Sequence, residues 1–198
     1  MGLINRSGQF SLFNKEEDEA LCQFLILIPL PDALNHDILR MKQQFREEFG
    51  PYPSLYSTPH ITVCSFLLLQ RRSEEVFALL QNCVDPLPAF HLYLNGFDTF
   101  PGRVIYCKVQ ESSVFNAIIQ EFDQARKQLM IRKNYTAGIV PHVTIARGLQ
   151  TSVFHSAKEE WLKKSYNASF KVDKLNVLNY DFEQKRYRKY TELYLGRG

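Results

Sequence analysis

Thr58-Pro-His-Ile-Thr-Val63 is a hexapeptide that returns, nearly unchanged, as Val140-Pro-His-Val-Thr-Ile145 in the second half of the chain. An internal repeat of this kind indicates a duplicated structural unit. In both copies apolar residues alternate with the histidine and the threonine, which is the pattern of a strand with one buried face. The repeat therefore predicts two equivalent strands, one in each half of the chain.

The elements around the two motifs also correspond. Each motif follows an apolar run and an amphipathic helix, and each precedes a second helix and another strand. In the first half these elements occupy about 22–30, 32–49, 73–80 and 90–94. In the second half they occupy about 104–109, 113–129, 151–161 and 170–178, and a terminal strand follows.

Each half is thus predicted to be β-α-β-α-β, which indicates an α+β fold. We expect a single bilobal domain whose halves are related by pseudo-two-fold symmetry, with a central groove between the two sheets. The domain is predicted to cover 21–198 after an N-terminal extension at 1–20. Its repeats are placed at about 21–98 and 102–180, and its terminal strand at 187–196.

The polar residues of the motifs are the candidate functional residues. Side chains at positions i and i+2 of a strand lie on one face, ~6.5–7 Å apart. His60 therefore points the same way as Thr62, and His142 the same way as Thr144. If the halves pair by two-fold symmetry, two imidazoles and two hydroxyls converge in the groove, with Arg147 close by.

This set of side chains suits attack on a phosphate ester without a metal or another cofactor. One neutral imidazole can take a proton from the attacking oxygen, and one protonated imidazole can give a proton to the leaving oxygen. The hydroxyls of Thr62 and Thr144 can donate to the non-bridging oxygens. Arg147 offers a fork of donors that matches phosphate oxygens.

The other histidines and one thiol are the alternative candidates. His36, His91 and His155 have no counterpart in the repeat and are interpreted as structural. A metal site would need a third ligand, and none occurs at repeat-related spacing. Cys64 is expected to share the face of Thr62, where it could line the groove, although packing is the favoured interpretation.

The composition is that of an ordinary globular protein. The chain has 198 residues, 45% of them hydrophobic and 23% charged, with a formal net charge of +3, which permits an anionic substrate. No apolar run approaches the ~20 residues of a membrane-spanning helix. The chain shows no secretory signal, and its 4 cysteines show no disulfide or zinc spacing. We therefore expect reduced thiols in a cytoplasmic protein. We also expect no membrane contact and no obligate protein partner, and nothing requires more than a monomer.

The paired motifs resemble those of the 2H phosphoesterase superfamily, within its 2′-5′ RNA ligase-like, or cyclic phosphodiesterase, branch. The second motif continues as His142-Val-Thr-Ile-Ala-Arg147, as in that branch. The stretch Gly96-Phe-Asp-Thr-Phe-Pro-Gly-Arg-Val-Ile-Tyr106 is similar to the branch's linker between halves. The likeness of layout covers about 21–196.

The resemblance implies a metal-independent phosphodiesterase that hydrolyses 2′,3′-cyclic phosphates of nucleotides or RNA ends. It implies that His60 and His142 are catalytic and that Thr62 and Thr144 contact the phosphate, with Arg147 matching the arginine after the second motif. His142 is weakly favoured as the base and His60 as the acid. A non-catalytic nucleotide- or RNA-end-binding module and a 2′-5′ RNA ligase remain the alternatives.

Overall fold

The computed structural model describes residues 20–131 and 135–196, so the predicted extension lies outside the described residues except for Ala20. The strands are β1 (Leu21–Pro29), β2 (His60–Leu69), β3 (Phe90–Phe100), β4 (Val104–Val109), β5 (Thr136–Ala137), β6 (His142–Ala146), β7 (Asn167–Val172), β8 (Lys174–Asp181) and β9 (Arg186–Tyr194). The helices are α1 (Asp32–Phe49), α2 (Ser73–Val84), α3 (Ser113–Gln128) and α4 (Thr151–Trp161), with a 3-10 turn at Gln70–Arg72.

The strands form one antiparallel sheet in the order β7-β3-β4-β6-β2-β1-β8-β9, and the short β5 pairs with β2. The two central strands, β2 and β6, are paired in register at Ile61 and Val143. This narrow junction divides the sheet into two four-stranded parts, β7-β3-β4-β6 and β2-β1-β8-β9. The motif strands therefore lie next to each other at the middle of the molecule.

Two helices pack against each part of the sheet. Trp161 of α4 lies between Phe45 of α1 and Phe97 of β3, with ring centroids 5.3 Å and 5.2 Å apart. In the other part, Phe77 of α2 packs edge-on against Phe24 of β1 at 4.9 Å, and α3 lies along α2. Large aromatic side chains bury much apolar surface, so these contacts fix both helix pairs on one face of the sheet.

The predicted α+β class and the single domain are confirmed, but the parts of the sheet do not coincide with the predicted repeats at 21–98 and 102–180. Strand β3, from the first repeat, pairs with β4 and β7 of the second. Strand β8, from the second repeat, pairs with β1 of the first. The turn at 101–103 is so short that β3 and β4 must form a hairpin, which carries β3 into the second part.

The last predicted strands show the effect of this exchange of strands. The strand predicted at 170–178 is divided at Asp173 into β7 and β8, which belong to opposite parts of one continuous sheet rather than to two separate sheets. The terminal strand is present as β9, at the edge beside β8. Within 20–131 and 135–196, no helix is long and apolar enough to cross a membrane.

Candidate active site

The two histidine motifs open the two central strands. Strand β2 begins at His60 and β6 begins at His142, and the strands run antiparallel. Ile61 and Val143, which face each other across the junction, are both fully buried. Because side chains alternate along a strand, the residues on either side of this pair point to the opposite face, away from the core.

That opposite face carries the four polar side chains of the motifs. In the register of this strand pair, His60 lies opposite Thr144, and Thr62 lies opposite His142. Side chains that lie opposite each other in an antiparallel pair have Cβ atoms about 4.5–5.5 Å apart. All four are half-buried. The structure thus brings the predicted imidazoles and hydroxyls together on one small area of the sheet.

Both imidazoles are held in the same way. Nδ1 of His60 bonds the carbonyl oxygen of Thr58 at 2.8 Å, and Nδ1 of His142 bonds the carbonyl oxygen of Val140 at 2.8 Å. A carbonyl can only accept, so Nδ1 carries the hydrogen in both rings. Nε2 of each ring is therefore the atom left to take or give a proton.

The surroundings of the two imidazoles differ. His142 packs edge-on against the rings of Phe100 and Tyr106, with centroids 4.9 Å and 5.3 Å away. The pKa of His60 is lowered, chiefly by burial and further by the positive charges of Lys42, Arg147 and His142, while the bond to Thr58 opposes the shift. In the free protein His60 is therefore biased towards its neutral form.

Arg147 follows β6 and is exposed. Its backbone N–H donates to the hydroxyl of Ser54 at 3.0 Å, which ties the end of the second motif to the segment that leads into the first. Its charge acts on both His60 and Lys42. The predicted arginine therefore belongs to the electrostatic surroundings of His60.

Cys64 does not line the groove, because a β-bulge changes the face on which it lies. The pairing of β1 with β2 shifts between Ile26 and Leu27, so that Leu27 faces Thr62 and Ile26 faces Cys64. Cys64 is consequently buried in the core, where burial raises the pKa of its thiol. The expectation that it shares the face of Thr62 is wrong, and the packing interpretation is confirmed.

The other three histidines lie on the surface. His36 is exposed on α1, His91 on β3 and His155 on α4. None of them is among the groups that act on the pKa of His60. They provide natural controls for the motif histidines.

Sequence reasoning missed Lys42, which is 1% exposed on α1. Its ammonium donates to the carbonyl oxygen of Ser57 at 2.6 Å and to its hydroxyl at 2.8 Å. The signal was present in the sequence. Lys42 lies four residues after Ile38 and three before Phe45, on the apolar stripe of an amphipathic helix, where a charge is unusual.

No group of three or more metal-ligating side chains (His, Cys, Asp or Glu) occurs in the described part of the chain. His60 has the cations Lys42 and Arg147 in its surroundings, and the hydroxyls of Thr62 and Thr144 lie on the same sheet face as the two imidazoles; all of these groups can donate hydrogen bonds. The chemistry of this side-chain set thus matches an anionic ligand.

Comparisons with known proteins agree with the fold and indicate the family. A family model described as the 2′-5′ RNA ligase superfamily matches residues 30–183, which include both motifs. A protein of Oceanobacillus iheyensis named "Putative phosphoesterase OB1230" is 26% identical over 155 residues, covering 77% of this chain and 88% of that protein.

Solved structures show the same architecture. Apo LigT of E. coli matches with a TM-score of 0.67 at 16% identity, covering 89% of this chain and 99% of that chain. TT0787 of Thermus thermophilus matches with a TM-score of 0.67 at 17% identity, covering 89% of this chain and 98% of that chain. At such identities the likeness shows the fold alone. The family model spans most of the chain and both histidine motifs, and the chain therefore belongs to the 2′-5′ RNA ligase superfamily.

Proposed function

We propose that this protein is a metal-independent phosphodiesterase that opens 2′,3′-cyclic phosphates of nucleotides or RNA ends. The observation that carries the proposal is the pair of identically anchored imidazoles, each bonded through Nδ1 to a backbone carbonyl oxygen, on adjacent strands of one sheet face. Membership of the superfamily supports it. A structure of E. coli LigT in complex with 3′-AMP supports a nucleotide as the ligand. Four free cysteines, two of them buried, support a reducing, cytosolic setting.

In the proposed reaction a water molecule attacks the phosphorus in line with the leaving ribose oxygen. One neutral imidazole takes a proton from that water as the new P–O bond forms. The other imidazole, protonated, gives its proton to the ribose oxygen as the old P–O bond breaks. The hydroxyls of Thr62 and Thr144 and the guanidinium of Arg147 hold the non-bridging oxygens, where negative charge accumulates.

The lowered pKa of His60 supports an assignment of roles to the two histidines. A base must be neutral in the free enzyme, and burial together with the nearby cations favours neutral His60. We therefore assign His60 as the base and His142 as the acid in ring opening. This reverses the sequence-based preference, since the sequence does not give the direction of the ester on which the two roles depend.

The pH dependence of kcat/KM is expected to be bell-shaped. The acidic limb falls as His60 becomes protonated, and because the pKa of His60 is lowered, this limb lies below the ordinary histidine value of 6.5. The alkaline limb reports the loss of the proton that the general acid must donate. Rates for 2′,3′-cyclic AMP between about pH 4.5 and 9 measure both limbs. A profile with a single limb would contradict a two-histidine mechanism.

The function is tested with a panel of 2′,3′-cyclic mononucleotides and oligoribonucleotides that end in a cyclic phosphate, in buffer with EDTA. We expect turnover that EDTA does not reduce, and a product with its phosphate at one position, read by NMR. Saturable binding without product would favour the non-catalytic binding module. Joining of RNA ends without hydrolysis would favour the ligase, whose chemistry the same groups could catalyse in reverse.

A further inference from the structure

Lys42 is a buried cation without a carboxylate partner among residues 20–131 and 135–196. Burying a charge costs stability unless other groups compensate it. In the described part of the chain the compensation comes from the neutral carbonyl and hydroxyl of Ser57. Burial, with Arg147 nearby, lowers the pKa of Lys42 to about 8. Lys42 is thus charged at neutral pH at a position where an apolar residue would pack more easily.

The ammonium of Lys42 holds the segment that leads into the first histidine motif, residues 54–58, which we call the serine strap. Within the strap, the hydroxyl of Ser57 donates to the carbonyl oxygen of Ser54 at 2.8 Å. The strap ends at Thr58, whose carbonyl oxygen accepts the Nδ1 hydrogen of His60. Lys42 is therefore connected to the imidazole through hydrogen bonds and the short backbone between Ser57 and His60.

The strap also joins the two motifs. The hydroxyl of Ser54, which is 4% exposed, accepts the backbone N–H of Arg147. Tyr52, just before the strap, donates from its hydroxyl to the carbonyl oxygens of Lys42 and Ile145 at 3.1 Å and 3.2 Å. Helix α1, the strap and the end of β6 thus form one hydrogen-bonded unit behind the histidine pair.

Lys42 also acts on His60 through its charge. The charged groups that act on His60 are Lys42 from α1, Arg147 from the segment after β6, and His142 on β6. All three are cationic or can become so, and each disfavours the imidazolium form of His60. The side chain of Lys42 is itself too buried to reach a substrate in the groove.

We propose that Lys42 is a positioning residue that holds the serine strap against α1 and, through the strap and its own charge, keeps His60 oriented and neutral for proton transfer. Its effect on catalysis rests on the proposed function, whereas its effect on the His60 imidazole does not. A charged, hydrogen-bonded lysine at this buried position thus contributes to the candidate active site rather than to the stability of the core.

The test compares Lys42→Met with Arg46→Met, which removes the same charge from an exposed position one turn further along α1. The titration of His60 is followed by NMR in the ligand-free protein. In Lys42→Met we expect the pKa of His60 to rise towards the ordinary value, because one of the charges that lowers it is gone. Arg46→Met is expected to leave the His60 titration as in the unsubstituted protein. An unmoved His60 in Lys42→Met, or an equal shift in both variants, would overturn the proposal.

Kinetics give the second readout. Lys42→Met is expected to lower kcat by about tenfold to a hundredfold with a smaller change in KM, and to move the acidic limb to higher pH. Lys42→Gln keeps a hydrogen-bond donor but loses the charge, so it should show the same titration shift with a smaller loss of kcat. It replaces Lys42→Met in the test if Lys42→Met does not fold. If the unsubstituted protein has no hydrolase activity but Lys42→Met still shifts the His60 titration, the proposed function is refuted and the role of Lys42 is not.

Discussion

Replacing either motif histidine by alanine is expected to lower kcat for 2′,3′-cyclic AMP by about 10²–10⁴-fold. In the proposed mechanism, His60→Ala removes the group that takes the proton of water, and His142→Ala removes the group that gives a proton to the leaving oxygen. Nδ1 of each ring bonds a backbone carbonyl oxygen, so Nε2 is the atom proposed to transfer the proton. KM is expected to change much less, because the hydroxyls and Arg147 remain. Initial rates at saturating substrate measure the loss.

The surface histidines supply matched controls. His36→Ala and His155→Ala remove imidazoles that are exposed on helices α1 and α4, away from the sheet face that carries the motif side chains, so their rates should equal that of the unsubstituted protein. The kcat of the double variant at His60 and His142 is expected to be only slightly lower than that of the less active single variant, because the effects of groups that act as a unit are not additive. Full activity in either single variant would rule out the two-histidine mechanism.

Replacing Gly138 by alanine is expected to destabilise the fold by about 3 kcal/mol. A Cβ atom at this position would lie 2.0 Å from the carbonyl oxygen of Thr62 and 2.9 Å from its carbonyl carbon. The backbone N–H of Gly138 donates to the carbonyl oxygen of Val63 at 2.7 Å, so the glycine is held against β2. A side chain there must push the segment before the second motif away from the first motif.

The unfolding temperature is the measurement, and the expected decrease is about 6–12 °C for a chain of this size. Gly102→Ala is the control, since its Cβ would lie 4.0 Å from its nearest neighbour, the Cγ2 atom of Val104. That control should change the free energy of unfolding by no more than about 0.5 kcal/mol. Equal unfolding temperatures for the two alanine variants would show that the close approach at Gly138 does not limit stability.

The elements and the placement of the motif residues could be predicted because local signals agree with the fold. The apolar stripe of α1 and the Gly50-Pro51 stop predicted its bounds of Asp32–Phe49. Ser112 caps α3, its hydroxyl accepting the N–H of Phe115 at 3.3 Å, and serine is a common residue at this position of a helix. Alternation along β2 and β6 likewise predicted one polar face for each motif.

The same local signals do not predict which strands pair with each other in the sheet. Apolar periodicity shows that β3 and β8 are strands, but it does not show which sheet edge each one joins. That depends on the short turn at 101–103 and on the break at Asp173, which send the two strands to opposite parts of the sheet. The bulge that turns Cys64 into the core is equally invisible, because it changes the alternation by a single residue.

The serine strap and Lys42 were missed because their contacts join segments that look ordinary one at a time. Ser54 and Ser57 lie in a loop, where serine is common. Their importance appears only when α1 and the end of β6 pack on either side of that loop and provide Lys42 and Arg147 as partners. Lys42 alone carried a local signal, as a charge on an apolar stripe.

Titration of the protein with vanadate, an oxyanion that adopts the five-coordinate geometry of phosphorus under attack, tests most directly whether both imidazoles serve one phosphorus atom. The Nε2 resonances of His60 and His142 are followed by NMR, with His155 as the reference. We predict that both motif resonances shift along a single binding curve with one vanadate per chain, while His155 does not respond. A shift of only one motif histidine, or separate binding curves for the two, would contradict a shared phosphorus site.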